Sequence, residues 1–280
     1  MVAKKRNKQI DVILSLVILL AIFSIIFYIW NIINNPHQSE KGYTATITLV
    51  WRNVPKELAN NIRVNDPIFV GSKPSYIVVK KWTEPYLISV PTPQSATVVE
   101  SQDTFNIYLQ IRNLTPLSST TPPIGKNLAI LGNTAHIESY IWQFDGIVVN
   151  VNTATFSPIS HDYLPQPETR GCEYKIIARN VYPSVISHIK TNEPLFDVLG
   201  RKILILKNVK ISHPLIYGWT PKGIVAQGDP TKSDIILTVS PIKGNIPISI
   251  NGKPAKVGRA LEIRGTDWRI WGRIIEVTCP

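Results

Sequence analysis

Apolar and polar residues alternate with a period of two along several stretches of the chain. Every second position is apolar from Ala45 to Trp51, from Phe105 to Ile111 and from Ile235 to Val239. Successive side chains of a strand point to opposite faces, so this pattern predicts strands with one buried face. Clusters of Pro, Ser, Thr and Gly separate the runs. Short strands separated by turns predict a mostly β fold built from small barrels or sandwiches.

The chain also repeats itself. The segment Ile62–Phe69 returns as Ile189–Phe196, at an offset of 127 residues, and Trp142 near the end of the first copy has a counterpart in Trp268. Each copy has the size of an ordinary small domain. We therefore predict two tandem, duplicated β units, at 43–152 and 172–280. The stretch 153–171 is rich in Pro, Ser and Thr and is predicted to be the linker between them.

The two units differ in length at two places. Residues 91–102 extend the first unit, and residues 215–231 extend the second. Both are predicted to be loops, which carry specificity on many repeated scaffolds.

Each unit is also predicted to contain one helical turn followed by a tight turn. Leu58 and Ile62 are four residues apart, and their counterparts in the second unit have the same spacing. An acidic residue then precedes proline in both units, Asp66 in the first and Glu193 in the second. A repeated acid could serve catalysis or bind a metal. The sequences Asn-Asp-Pro and Asn-Glu-Pro favour a turn instead.

An apolar run spans residues 10–33 and is long enough to cross a hydrocarbon layer as one helix. Tyr28 and Trp30 fall where interfacial aromatic residues are expected. A cleaved signal peptide is the alternative, but its apolar region is usually shorter and ends in small residues. Positive charges precede the run, so residues 1–9 are predicted to be a cytoplasmic tail and everything after the span to be extracytoplasmic. The sequence thus predicts a single-pass protein of the cell membrane.

The chain is basic, with 30 Lys and Arg residues against 19 Asp and Glu residues and a net charge of +11. About +8 remains beyond the tail, which is compatible with a solvated surface or with attraction to an anionic partner. An anionic lipid, an envelope polysaccharide or a membrane-protein partner fits this charge. Nucleic acid is excluded by the predicted compartment.

Motifs of enzymatic chemistry are absent from the sequence. Three Ser-His pairs occur, at Ser160, Ser187 and Ser212, but neighbouring residues of a strand point to opposite faces. The five histidines do not have the spacing of metal ligands. We therefore predict no catalytic residues, no metal and no cofactor, and an envelope hydrolase is disfavoured.

The candidate binding residues are Arg269, Trp271 and Arg273. In a strand they share one face, opposite Trp268, which has a counterpart in the first unit as a core residue should. Their own counterparts are Gln, Asp and Ile, so the fold does not require them. Arg and Trp together bind sugars, lipid headgroups or proteins by stacking and charge-assisted hydrogen bonds. A cation–π pair on an ordinary solvated face is the alternative.

The two cysteines, Cys172 and Cys279, bracket the second unit. An extracytoplasmic compartment permits disulfides. If the first and last strands of the unit pair antiparallel, the two residues lie within bonding reach. Two free thiols are the alternative, expected if these strands pair parallel.

The segment with the pattern Ile-x-x-Asn-Asp/Glu-Pro-Ile/Leu-Phe, followed by Gly-Lys, Trp and a closing Gly-containing strand, resembles the domain-of-unknown-function family 4330. That resemblance implies a bacterial single-span membrane protein, here with two copies of the domain, and it supplies no active-site residues. A non-enzymatic binding or scaffolding protein of the cell envelope is therefore expected, as an accessory of a transport or polysaccharide machine. The alternative is a lipid carrier, because residues 62–69 are also similar to the mammalian-cell-entry domains. The sequence does not predict an oligomeric state.

Overall fold

A computed structural model describes residues 23–25, 42–158, 171–197, 199–242, 249–250 and 253–279. Residues 23–25 are helical. The rest of the predicted anchor at 10–33, the tail at 1–9 and residues 159–170 of the predicted linker lie outside the described residues. Within the described part of the chain, no helix has the length and hydropathy needed to cross a membrane.

Residues 42–158 contain one short helix and eight strands. The helix α1 spans Glu57–Asn60. The strands are β1 (Tyr43–Val54), β2 (Pro67–Val70), β3 (Lys73–Pro91), β4 (Ala96–Asn113), β5 (Pro123–Ile124), β6 (Asn127–Leu128), β7 (Thr134–Glu138) and β8 (Gln143–Thr155).

The second half repeats this succession with a further hairpin. Its short helix α2 spans Pro183–Ile186. Its strands are β9 (Glu173–Val181), β10 (Pro194–Phe196), β11 (Lys202–Ser212), β12 (Leu215–Thr220), β13 (Gly223–Gly228), β14 (Ser233–Pro241), β15 (Ser249–Ile250), β16 (Lys253–Pro254), β17 (Ala260–Arg264) and β18 (Arg269–Thr278).

Two six-stranded sheets close into barrels. The first barrel has the strand order β1-β4-β3-β2-β7-β8 and closes because β8 pairs with β1. The second barrel has the order β9-β14-β11-β10-β17-β18 and closes because β18 pairs with β9. Strand by strand, the two orders are the same, and the pairs within both barrels are antiparallel. Both barrels belong to one compact unit, Tyr43–Pro280.

The apolar positions of the alternating strands fill the barrel interiors, as the sequence predicts. Ile47 and Leu49 on β1 are fully buried, and so are their cross-strand partners Ile111 and Leu109 on β4. The second barrel is filled in the same way from β9, β14 and β18. Removing such side chains from water is the main source of stability for a small barrel.

Four asparagines in the left-handed region mark equivalent bends of the two barrels. Asn53 and Asn180 have φ angles of 54° and 56°, and Asn65 and Asn192 have φ angles of 71° and 64°. Asparagine tolerates this region better than most residues with a side chain beyond Cβ. The repeated Asn residues in the sequence therefore mark backbone geometry, and the expected turn at Asn-Asp/Glu-Pro is present in both barrels.

Two predicted loops are instead paired strands. Residues 91–102 form the tip of a long β3–β4 hairpin, whose register continues from Leu87↔Glu100 to Pro91↔Ala96. Residues 215–231 contain the β12–β13 hairpin. Residues 153–155 of the predicted linker belong to β8, whose pairing with β1 extends to Thr155.

Candidate functional site

The predicted binding residues lie on β18, and two of them are exposed. Arg269 faces solvent, and the side chain of Trp271 is 70% exposed. Trp268 and Ile270 point to the opposite face and are buried in the barrel. The alternation inferred from the sequence is therefore the one observed.

The third predicted residue, Arg273, does not share this exposed surface. Its guanidinium carbon lies 4.9 Å from the centre of the Trp51 ring of the first barrel. Burial lowers the pKa of Arg273, and the carboxylate of Asp145 opposes that effect. Its Nη1 atom is buried without a hydrogen-bond partner among the described residues. Arg273 thus belongs to the contact between the barrels, and the candidate surface reduces to Arg269 and Trp271.

We define the free end of the second barrel as His188, Arg264, Asp267, Arg269 and Trp271. His188 Nδ1 lies 2.8 Å from Asp267 Oδ2, and this hydrogen bond lowers the pKa of Asp267. Residues 264–269 line a shallow cleft there. The free end therefore combines an exposed indole, guanidinium groups and a polar pair, a combination suited to stacking and to charge-assisted hydrogen bonds.

The repeated acidic residues hold the repeated tryptophans. Trp142 Nε1 donates to Asp66 Oδ2 at 2.6 Å, and Trp268 Nε1 donates to Glu193 Oε1 at 2.8 Å. Asp66 also accepts from the backbone of Arg63, which closes its turn. Burial raises the pKa of Asp66, although these hydrogen bonds act against the rise. Both acids are thus committed to turn and core structure, which favours the turn interpretation over catalysis or metal binding.

The barrels contact each other through a backbone bridge. The Gln143 N–H donates to the Val257 carbonyl, and the Val257 N–H donates to the Ile141 carbonyl, both at 2.8 Å. This joins the start of β8 to the turn before β17 as a parallel bridge between Trp142 and Val257. The first barrel contributes its end to this contact, and the second barrel contributes its side.

A buried side chain extends the same contact. Asn61, at the end of α1, donates from Nδ2 to the Ile275 carbonyl at 3.0 Å and accepts from the Val277 N–H at 3.3 Å. Its amide thus pairs with an outward-facing stretch of β18 as a neighbouring strand would. Lys256 adds an ion pair to Glu138 at 2.6 Å.

A close backbone approach completes the contact. Gly258 has a φ angle of 89°, and a Cβ there would collide with the backbone oxygen of Gln143 and press on the ring of Trp51. Glycine is required on both counts.

The two hairpins that the sequence predicts to be loops also meet. The Gln102 N–H, beside the tip of the β3–β4 hairpin, donates to the Tyr217 hydroxyl on β12 at 2.9 Å. A cleft opens beneath them, lined among others by Asp103, Arg179 and Asp234. Burial raises the pKa of Asp234, and the neighbouring Asp103 carboxylate raises it further.

No pattern in the sequence predicts this cleft, because its charged residues are far apart along the chain. Asp234 accepts a hydrogen bond from the backbone of Asn180, one of the left-handed asparagines, at 3.0 Å. Its nearest cation is Arg179, 3.9 Å away. Asp234 therefore has a structural role at the bend of β9.

The histidines of the described residues do not form a metal centre. Among these residues, no group of three or more His, Cys, Asp or Glu side chains could hold a metal ion. Ser187 donates to the backbone of Ser184 rather than to His188. Ser160 lies outside the described residues.

The two cysteines are brought together by β9 and β18, which pair antiparallel as the expected closure requires. The Sγ atoms of Cys172 and Cys279 lie 2.07 Å apart, and their Cα atoms 4.1 Å apart. The bond ties the first strand of the second barrel to its last strand.

These features define a mostly β protein with tandem closed barrels, filled interiors and an exposed Arg-Trp surface. The chain belongs to the family of the domain of unknown function DUF4330, whose model matches residues 8–152. The match ends within β8, so the assignment of the second barrel as another copy of this domain stays a prediction. No curated protein and no solved structure matches the chain.

Proposed function

We propose that this protein is a non-enzymatic, membrane-anchored docking or scaffolding module of the bacterial cell envelope. Residues 10–33 are the anchor, the tail at 1–9 is cytoplasmic, and both barrels are extracytoplasmic. The charge distribution around the apolar run supports this orientation. A disulfide between Cys172 and Cys279 is compatible with it, because such bonds persist outside the cytoplasm.

We further propose that the two barrels are copies of one domain. Their shared strand order supports this. So do the left-handed asparagines at equivalent bends and the tryptophan-to-acid hydrogen bond that occurs in each barrel. After a duplication, exposed positions at which the two barrels have different residues can acquire separate binding roles.

One observation carries the docking function: the exposure of Trp271 beside Arg269 at the free end. Trp271 is 70% exposed, and its counterpart in the first barrel is the half-buried Asp145. The barrel does not need an indole at this position. Tryptophan and arginine are the residues most enriched among the energetically dominant contacts of protein interfaces.

The lipid-carrier alternative receives no support from the barrel interiors. Trp142, Phe144 and Ile47 are among the large side chains that fill the first barrel. A lipid would have to lie between chains instead.

The experiment is photo-crosslinking of the full chain in living cells. A photoreactive amino acid replaces Trp271 in one strain and Trp219 in another. Trp219 is the matched control, because it is a tryptophan that is 44% exposed on the β12–β13 hairpin and is not among the residues that define the free end. We expect a discrete crosslinked product from position 271 and none from position 219. Equal or absent crosslinking at the two positions would overturn the proposal.

A further inference from the structure

We infer that the free end of the second barrel binds the first barrel of another copy of this chain, so that chains assemble head to tail. The inference rests on the proposed docking role of the free end and names its partner. The two barrels of one chain already contact each other in the way that this assembly would repeat.

That contact is heterologous, because the two barrels use different surfaces. The first barrel uses its end, around Trp142 and Asn61, and the second uses its side, around Val257 and Ile275. Among the described residues, neither Asp267 and Trp271 at the equivalent end of the second barrel nor Leu131 and Val149 on the equivalent side of the first barrel take part in this contact. The β12–β13 hairpin meets the first barrel separately, through the Tyr217 hydroxyl. A heterologous contact that is repeated produces a closed ring or an open filament.

The unused side of the first barrel lies 126 residues earlier along the chain than the used side of the second. Leu131 corresponds to Val257, and Val149 corresponds to Ile275. Val257 is 1% exposed and Leu131 is 64% exposed. Ile275 is 0% exposed and Val149 is 38% exposed. The first barrel thus covers Val257 and Ile275 of the second barrel. Their counterparts on the first barrel, Leu131 and Val149, are also apolar but are exposed.

The backbone of the unused side has the shape that docking requires. Gly132 and Gly258 have φ angles of 84° and 89°. Each donates its N–H to a carbonyl in the last strand of its own barrel. Gly132 donates to Val148 at 2.9 Å, and Gly258 donates to Ile274 at 2.7 Å. Val149 and Ile275 are also both the extra residue of a β-bulge.

The backbone of Leu131 is open as well. Val257 forms the bridge to the first barrel with its N–H and its carbonyl. At Leu131 neither group has a backbone partner among the described residues. Leu128 and Ile130, each 49% exposed, extend the apolar surface beside it. We define the open side of the first barrel as Leu128, Ile130, Leu131, Gly132 and Val149.

The residues that would meet across the contact between chains differ from those of the intrachain contact, and they differ on both sides of it. Within the chain, Arg273 of the side faces the carboxylate of Asp145 of the end. The corresponding residues of the open side and the free end are Ile147 and Trp271. Two residues of opposite charge are thus replaced by two apolar residues, a substitution that preserves complementarity.

The end residue Asn61 is replaced by His188. Asn61 donates to the Ile275 carbonyl within the chain. His188 donates to Asp267 through Nδ1, so its Nε2 remains to face the matching Val149 carbonyl of the next copy, and it donates to that carbonyl when the ring is protonated. Each element of the intrachain contact therefore has a chemically workable counterpart between chains.

The first test is the mass of the purified full chain in detergent, measured by mass photometry over a hundredfold range of concentration. We expect species of more than one chain. Gly132→Ala should weaken association at least tenfold, because its Cβ would meet the free end of the next copy as a Cβ at Gly258 would meet Gln143. Gly71→Ala is the matched control, since Gly71 has a φ angle of 68° and open space around it, on the β2–β3 turn. It should leave association unchanged.

The second test fixes the geometry. The bridge from Val257 to Ile141 predicts that Leu131 of one copy lies beside Asp267 of the next. A Leu131→Cys chain and an Asp267→Cys chain, carrying different tags, should form a mixed disulfide dimer when combined. A Gly71→Cys chain combined with the Asp267→Cys chain should not.

The outcomes separate the two proposals. A chain that stays monomeric at every concentration and forms no mixed disulfide overturns the head-to-tail assembly. If position 271 then crosslinks to a different protein in cells, the docking function stands without it. If position 271 crosslinks to nothing, both proposals fail.

Discussion

The indole of Trp142 donates a 2.6 Å hydrogen bond to the carboxylate of Asp66, and the second barrel repeats the bond between Trp268 and Glu193. In each barrel the acidic side chain also accepts a hydrogen bond from a backbone N–H of its own turn, and the tryptophan is buried in the barrel next to that turn. The bond therefore connects two sequence features that recur along the chain, the Asn-Asp/Glu-Pro turn and the late tryptophan.

Asp66→Ala should destabilise the protein by about 2–4 kcal/mol. The change leaves the buried indole N–H of Trp142 without its acceptor, at a cost of about 1–3 kcal/mol, and removes the turn hydrogen bond from the Arg63 N–H. Asp66→Asn keeps a carbonyl oxygen and should cost less than half as much. Thermal unfolding of the purified full chain, followed by tryptophan fluorescence, measures both. A catalytic or metal-binding Asp66 would instead show little loss of stability on either change.

Trp268→Ala should destabilise by about 3–5 kcal/mol, as a large-to-small change in a filled core. The double change Arg269→Ala and Trp271→Ala should cost less than about 1 kcal/mol, because both side chains are exposed. The comparison is made by the same unfolding measurement under conditions that keep the chain monomeric. Equal losses for the two variants would mean that the free end is structural rather than a docking surface.

The alternation of β18 shows how much of the candidate site the sequence could predict. A period of two places Trp268 and Ile270 inside and Arg269 and Trp271 outside, because the pattern reports the faces of an isolated strand. It cannot report which outward face another part of the chain covers. Arg273 has the same phase as Trp271, and only the packing of the first barrel on the second decides that it is half-buried.

The two hairpins at 91–102 and 215–231 show where the pattern fails for the fold. A hairpin that projects beyond a barrel is exposed on both faces, so its sequence has no reason to alternate. Both segments consequently resemble loops in composition, with Pro and Thr at their tips. Their pairing is set by the strands of the barrel that precede and follow them, such as β3 and β4.

Gly258→Ala should weaken the contact between the barrels. A Cβ at this position would collide with the backbone oxygen of Gln143, which cannot move without breaking its bridge to Val257. We expect a loss of about 2–4 kcal/mol, composed of the backbone cost of a positive φ and the overpacking cost. Gly71→Ala has only the backbone cost of a positive φ and should lower the free energy of unfolding by about 1 kcal/mol. Similar losses for both variants would mean that the barrels do not depend on this approach.

The pair His136–Asp145 should add a pH-dependent contribution to stability. The Asp145 carboxylate, 2.6 Å from His136 Nδ1, raises the pKa of His136 and has its own pKa lowered in turn. A raised histidine pKa means that the contribution is complete below the unfolded value and is lost as pH rises through the folded value. Both side chains are about half exposed, so it should not exceed about 1 kcal/mol.

The measurement is the difference in unfolding free energy between the wild-type chain and His136→Gln as a function of pH. We expect the difference to shrink between about pH 6 and pH 8. Asp145→Asn removes the partner and should abolish the pH dependence of that difference. A difference that stays constant over this range would contradict the assignment.

The purified, unreduced chain should show no free thiols when it is denatured. Cys172 and Cys279 are the two cysteines of the chain, and their bond closes a loop with a sequence separation of 107 residues. By chain entropy such a bond contributes at most about 4.7 kcal/mol, so replacing both cysteines with Ala should lower stability by up to that amount. The count also tests the compartment, because a barrel that faced the cytoplasm would keep its thiols reduced. Alkylation in intact cells before purification makes the count valid for the cell, and two alkylated cysteines per chain would contradict both the bond and the extracytoplasmic placement.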